Sequence, residues 1–229
     1  MRIDILTLFP EMFAPIKESI LKRATESGKI EINVINIRDY SKDKHKKCDD
    51  YTFGGGPGML MMPQPIYDAI TSIEGYKQAL KVYMSPKGER FTQKKSEFIA
   101  KNYEHLILLC GHYEGVDERI IELLIDEEIS IGDYVLTGGE LPAMVVVDAV
   151  SRHIEGVLHC EDSAEIESFS DNLLEYPQYT KPRNFMGLEV PEVLVSGDHA
   201  KIAKWRREQA EKLTKSRRPD LMNDDIDNY

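Results

Sequence analysis

The sequence predicts an α/β protein built on a mainly parallel sheet, and two observations carry this. Short apolar runs of strand length alternate with amphipathic helical segments from Ile3 to Ile154. Glycine-rich loops then follow several of those runs. Cys110-Gly-His-Tyr-Glu-Gly-Val-Asp117 comes after Leu106–Leu109, and Ile131-Gly-Asp-Tyr-Val-Leu-Thr-Gly-Gly-Glu-Leu-Pro142 grows out of the run holding Ile129 and Ile131. In such folds ligands sit in the loops that leave the carboxyl ends of strands. Glycine lets backbone approach a ligand because no Cβ intervenes. On composition alone, both stretches read equally well as ordinary glycine turns.

Each element follows from local pattern. Ile3–Phe9 reads as the first strand. Ile16–Glu26 is amphipathic, with Ile16, Ile20 and Leu21 at helical spacing, and Ile30–Ile37 alternates as a second strand. A polar segment, Arg38–Asp50, leads into Tyr51-Thr-Phe-Gly-Gly-Gly-Pro-Gly-Met-Leu-Met-Met62. Pro63 and Pro65 open a helix through Ile73, since proline suits a first helical turn. Lys81–Met84 is a third strand ending in Ser85-Pro-Lys-Gly88. Thr92 caps a helix to Asn102, and Leu106–Cys110 is a fourth strand. Val116–Ile125 is a helix, Glu128–Ile131 a short strand, and Leu141–Ile154 a largely apolar helix.

Beyond Gly156 the texture changes. His159–Glu167 is acidic and aperiodic, which reads as a linker, and Tyr176-Pro-Gln-Tyr-Thr-Lys-Pro-Arg183 interleaves aromatics with prolines. Asp198 caps a last helix from His199 to about Lys215, with Ile202, Trp205, Gln209 and Leu213 along one side. A domain boundary is therefore expected near residues 157–172.

The chain has 229 residues, 41% apolar and 30% charged, an ordinary balance for a soluble globular protein. No apolar run approaches the roughly 20 residues a membrane span needs. The N-terminus lacks a signal peptide's apolar core and cleavage site, so no membrane partner and a cytoplasmic location are expected. Cys48, Cys110 and Cys160 are odd in number and far apart, which indicates neither a disulfide framework nor a zinc site. The net charge of −11 argues against non-specific nucleic-acid binding by the chain as a whole.

The positive charge is nonetheless clustered. Lys42, Lys44, His45, Lys46 and Lys47 form one group; Lys201, Lys204, Arg206, Arg207, Lys212, Lys215, Arg217 and Arg218 form another. Each is either a solvated surface or a local patch for a polyanion, because a Debye length of about 8 Å hides distant charge.

Common ligand motifs are absent. Gly54-Gly-Gly-Pro-Gly58 has no Lys-Ser or Lys-Thr at P-loop spacing, and no G-x-G-x-x-G follows the first strand. Neither a G-x-S-x-G elbow nor an H-E-x-x-H helix occurs. Three loops, Ser85–Gly88, Gly111–Gly115 and Ile131–Gly139, are expected to build one backbone-lined pocket. Such a pocket suits a neutral or cationic ligand with a flat base. It is expected to lack the basic side chains and helix N-terminus that a triphosphate needs.

Several motifs together carry a resemblance. They are Leu-Phe-Pro-Glu-Met-Phe near the start, Gly-Gly-Gly-Pro-Gly-Met, Cys-Gly-His-Tyr-Glu-Gly-Val-Asp-Glu-Arg, Ile-Gly-Asp-Tyr-Val-Leu-Thr-Gly-Gly-Glu and Leu-Leu-Glu-Tyr-Pro-Gln-Tyr-Thr. From Met1 to the terminal helix the chain closely resembles the bacterial tRNA (guanine-N1)-methyltransferases, which methylate the guanine at position 37 beside the anticodon. The resemblance implies a trefoil-knotted, SPOUT-type domain over 1–157 with S-adenosylmethionine bent in the knot loops, a rare exception to unthreaded chains. It also implies an interdomain linker over 158–172, a small helical tRNA-binding domain over 173–229, and a homodimer whose active site is shared between subunits.

By the same resemblance the cofactor pocket uses Ser85, Pro86, Gly111, Tyr113, Glu114, Ile131, Gly132, Asp133, Tyr134, Val135, Leu136, Gly138, Gly139 and Pro142. Backbone groups of Ile131–Leu136 read the adenine edge, and Glu114 either accepts from the ribose hydroxyls or faces the sulfonium. Ile131, Leu136 and Pro142 are also readable as plain wall residues.

The chemistry needs a proton removed from guanine N1 and charge stabilised on O6, tasks for a carboxylate and an Arg. The family's Arg matches Arg152, which otherwise reads as a charge favoured at a helix C-terminus. The family's Asp before Ser-Phe is Glu167 here, one methylene longer, with Asp171 as the backup base; Glu175 carries no chemical role. Gly56 and Gly58 in the Gly54–Met59 loop lie close to a flipped guanine. Lys201, Lys204, Arg206 and Arg207 contact phosphates. Tyr176, Tyr179 and Trp205 either stack on bases or pack the small domain's core. Family dependence on Mg²⁺ has no matching ligand cluster in this sequence.

Overall fold

The structure is a computed structural model and describes residues 1–158 and 168–222. The chain divides into two compact units, Met1–His159 and Cys160–Tyr229. In the first unit five strands form one parallel sheet: β1 (Arg2–Thr7), β2 (Glu31–Asn36), β5 (Leu80–Arg90), β6 (His105–Cys110) and β7 (Glu127–Ser130), in the order β2-β1-β6-β5-β7.

Helices cover both faces, and the strands show why. Ile3 and Ile5 of β1, Val82 and Met84 of β5, and Leu106 and Leu108 of β6 enter one core; Leu6, Tyr83, Ile107 and Leu109 enter the other. Neighbouring residues thus point into opposite cores, so β6 reads as an unbroken apolar run, Leu106–Cys110, rather than as alternation. The first core is closed by α1 (Ser19–Glu26), α3 (Gln93–Asn102) and α5 (Glu140–Ser151). The second is closed by α2 (Pro63–Ser72) and α4 (Glu118–Leu124). Among the described residues no helix is long and apolar enough to cross a membrane.

Two local expectations are corrected, and one element is added. The helix expected from Ile16 begins only at Ser19, because Pro15 sits in a 3-10 stretch over Pro10–Lys17 and Ser19 takes φ +56°. The segment around Tyr51 and Met59 is an antiparallel hairpin, β3 (Asp49–Tyr51) with β4 (Met59–Met61). The third strand does not stop at Met84. Met84 and Glu89 both pair with Ile129, so Ser85–Gly88 bulges out and β5 resumes to Arg90.

The second unit holds α6 (His199–Arg217) and a short hairpin, β8 (Asn184–Phe185) with β9 (Leu188–Glu189). Asp198 caps α6 by accepting from the Lys201 N–H. Thr214 is fully buried and ties α6 to the start of the unit, its hydroxyl accepting from the Leu174 N–H at 2.8 Å.

Candidate functional site

The three glycine-bearing loops do meet. Ser85–Gly88 bulges from within β5, Gly111–Gly115 follows β6 and Ile131–Gly139 follows β7, and together they enclose a cavity of about 430 Å³. Ser85, Pro86, Gly111, Tyr113, Glu114, Ile131, Gly132, Tyr134, Val135, Leu136, Gly138, Gly139 and Pro142 all line it; exposed Asp133 does not. The β5 bulge exists because Gly88 lies hard against the backbone of Glu128 and Ile129, where no side chain fits.

After β7 the chain crosses back past β5 to the end of β6. There the Gly139 N–H donates to the Gly111 carbonyl at 2.8 Å, and His112 pairs with Gly138 in an antiparallel bridge. A Cβ at Gly139 would stand 2.8 Å from both Cys110 Cα and Gly111 N. Only glycine allows that crossing. Ser130 secures the start of the returning loop, its hydroxyl accepting from the Gly132 N–H at 3.2 Å and donating to the Gly132 carbonyl at 3.1 Å.

The cavity's charge is mainly negative. Glu114, Glu118 and Glu128 line it against one ammonium, Lys87. Burial pushes the Tyr83 phenol up to about 12, so it stays protonated at the cavity wall. One expectation about this pocket is corrected: a helix N-terminus does reach it, since α5 begins at Glu140 and Gly139 and Pro142 are lining residues. The first residue of that helix is itself a carboxylate, which occupies the favourable end of the helix dipole and leaves no positive terminus for phosphate.

Glu140 and Thr7 are the residues that sequence reasoning missed. Both are buried, and the Thr7 hydroxyl donates to Glu140 Oε1 at 2.8 Å while accepting from the Phe9 N–H at 2.9 Å. The other carboxylate oxygen presses against Gly138, where a Cβ would collide with it. The only signals were a Thr interrupting an apolar strand and a Glu opening an apolar helix. Each alone reads as a surface residue, and they stand 133 positions apart.

Among the remaining candidates, Glu114 is exposed, and its N–H donates to the Met59 carbonyl at 3.0 Å. Its side chain covers Gly58, so the Gly56 and Gly58 loop and the cavity share a border. Arg152 lies at the opposite end of α5, the C-cap position, with its N–H bonded to the Asp148 carbonyl. Twelve helical residues separate the two ends, which at 1.5 Å per residue is about 18 Å. Glu167 lies outside the described residues.

In the second unit, Asp171 is exposed with φ +51° and pairs with Arg207 at 3.4 Å. Arg207 also holds Glu211, Lys201 pairs with Asp198, and Lys204 lies 3.9 Å from Glu208. Arg206 stacks over Tyr176 at 4.8 Å, and half-buried Trp205 tilts against Tyr179 at 6.4 Å between ring centres. Tyr176, Tyr179 and Arg206 edge a surface cavity of about 480 Å³. Among the described residues no group of three or more His, Cys, Asp or Glu is gathered as a metal site.

Comparison with known proteins gives one consistent result. Residues 1–224 match the family model described as tRNA (guanine-1)-methyltransferase TrmD. A tRNA (guanine-N(1)-)-methyltransferase from Ruminiclostridium cellulolyticum is 61% identical over 226 residues, covering 97% of each chain. Proteins of the same name are 59% identical in Caldanaerobacter subterraneus, over 96% of this chain and 90% of the relative, and 57% identical in Clostridioides difficile, over 96% and 97%.

Proposed function

Because this chain belongs to the tRNA (guanine-1)-methyltransferase family, we propose that it transfers a methyl group from S-adenosylmethionine to N1 of the guanine at position 37 of tRNA. The observation that carries this reading is the cavity built by the β5 bulge and the loops after β6 and β7, in a chain matched over residues 1–224. Its volume suits a nucleoside-sized ligand. Its backbone lining offers donors and acceptors to a base edge, and its excess of carboxylates suits a cation. Ser85, Pro86, Gly111, Tyr113, Glu114, Ile131, Gly132, Tyr134, Val135, Leu136, Gly138, Gly139 and Pro142 would hold the cofactor. When bound, it supplies an electrophilic methyl on a sulfonium centre. The return of the chain from β7 to the end of β6 supports a trefoil-knotted, SPOUT-type path through these loops.

The protein's own task is to make guanine N1 nucleophilic. Glu167 takes the N1 proton through its carboxylate. Arg152 donates to O6 and stabilises the charge that moves there. Asp171 is less suited as the base, since Arg207 already engages its carboxylate. The loop of Gly56 and Gly58 brings backbone close to the flipped base beside Glu114, and Lys201, Lys204, Arg206 and Arg207 position the tRNA through its phosphates.

The distance of about 18 Å from one end of α5 to the other supports a homodimer in which Arg152 serves the cavity of the second subunit. Leu141 and Val145, exposed one helical turn apart on α5, offer an apolar stripe for that contact.

The test is methyl transfer from labelled S-adenosylmethionine to unmodified tRNA carrying guanines at positions 36 and 37. Glu167→Gln is expected to lower the rate by about 10²- to 10⁴-fold while keeping cofactor affinity. A dead Asp171→Asn beside an active Glu167→Gln moves the base four residues on. Wild type that binds cofactor and tRNA yet transfers nothing to N1 overturns the function.

A further inference from the structure

The β3–β4 hairpin presents two aromatic side chains to solvent: Tyr51 is 79% exposed and Phe53 99%. Their exposure has a local cause. Residues Thr52–Gly55 close as a turn, the Gly55 N–H donating to the Thr52 carbonyl at 3.3 Å and the Thr52 hydroxyl to the Gly55 carbonyl at 3.2 Å. Phe53 takes the first corner and Gly54, at φ +85°, the second, a corner that requires positive φ. The turn holds the phenyl ring out from the strand pair. Gly55, Gly56 and Gly58 continue at positive φ, so no bulky side chain beside the ring shields it.

This hairpin is fixed at the cavity. β4 is stitched to the loop after β6 by three backbone hydrogen bonds: Glu114 N–H to Met59 O at 3.0 Å, Met61 N–H to Gly115 O at 3.0 Å, and Asp117 N–H to Met61 O at 3.1 Å. Leu60 lines the cavity, and Gly58 packs under the Glu114 side chain. An aromatic face is therefore carried on a glycine-rich arm that is anchored beside the loops enclosing the cavity.

We infer that Phe53 is the platform on which the target guanine stacks once drawn out of the RNA, with Tyr51 flanking it. The inference rests on the tRNA methyltransferase reading above. A base taken from its stack loses both neighbours, and an aromatic side chain replaces one of those contacts. The ring needs no hydrogen-bond geometry, so it holds the base plane and leaves the N1 and O6 edge to the polar groups.

The test uses the full chain, unmodified tRNA, and the variants Phe53→Ala, Phe53→Leu and Phe53→Tyr. Phe53→Ala is expected to lower kcat/KM for tRNA roughly tenfold or more, with S-adenosylmethionine affinity by calorimetry and sedimentation behaviour unchanged. Phe53→Tyr keeps most of the activity, and Phe53→Leu behaves like Phe53→Ala. Wild-type kinetics in Phe53→Ala overturn the inference, and so does a Leu variant that matches Phe. A shift in oligomeric state on Phe53→Ala also overturns it, because the ring then belongs to a surface between copies. If wild type transfers no methyl, the functional reading fails by itself, and tRNA affinity by filter retention decides instead. Weaker binding in Phe53→Ala with rescue by Phe53→Tyr supports the platform, and equal affinities overturn it.

Discussion

Thr7 and Glu140 work on the cavity from beneath. Their buried hydrogen bond ties the end of β1 to the start of α5, and Glu140 in turn braces Gly138 in the returning loop. Replacing Glu140 with Ala leaves the Thr7 hydroxyl without its acceptor, at a cost of about 1–3 kcal/mol. Calorimetry should show the lower melting temperature, and titration with S-adenosylmethionine a weaker affinity. Glu140→Gln, which keeps the shape and one acceptor oxygen, should lose less of both. Burial also decides the chemistry of the two described cysteines. It pushes the Cys48 and Cys110 thiols above their ordinary values, Cys110 far above. Since the thiolate is the reacting species, neither should be alkylated by iodoacetamide at pH 8 in the folded protein. Both should react after denaturation, with mass spectrometry of the digested peptides as the readout.

The elements that were legible in the sequence are those whose ends are set by local chemistry. Thr92 accepts from the Lys95 N–H at 3.2 Å and starts α3, Asp198 starts α6, and Pro63 opens α2. Thr92→Ala should therefore cost about 1 kcal/mol, seen as a lower denaturation midpoint with an unchanged denaturant slope. The β3–β4 hairpin was illegible for the opposite reason. Asp-Asp-Tyr has no apolar alternation, and its partner strand is held by backbone bonds to Glu114, Gly115 and Asp117, more than 50 residues away in the chain. Ser85-Pro-Lys-Gly88 misled because proline and glycine read as a stop, whereas here they form a bulge that Ile129 spans from the neighbouring strand. Phe53 escaped notice in the same way. An aromatic residue before three glycines says nothing of exposure until the turn is built.

At the scale of the whole molecule, the glycine loops after β6 and β7 could be read one by one, because each follows its strand directly. The position of Arg152 could not. A helix's length is visible in sequence, but which of its ends faces a ligand depends on how the chain returns from β7 to β6. That return puts Gly139 at the cavity and Arg152 a full helix away, and a shared active site follows only if a second chain brings Arg152 back. Complementation tests this directly. Gly139→Ala places a Cβ against Cys110 and Gly111 and should abolish cofactor binding; Arg152→Ala should bind cofactor but transfer poorly. Each homodimer alone should be nearly inactive. In a heterodimer purified through two different tags, one site combines the damaged cavity with the missing Arg. The other combines an intact cavity with an intact Arg and should restore about half of the wild-type rate, since one of two equivalent sites is whole. If each chain instead supplied its own Arg152, every site in the heterodimer would carry one lesion, and the rate would stay at the level of the parents.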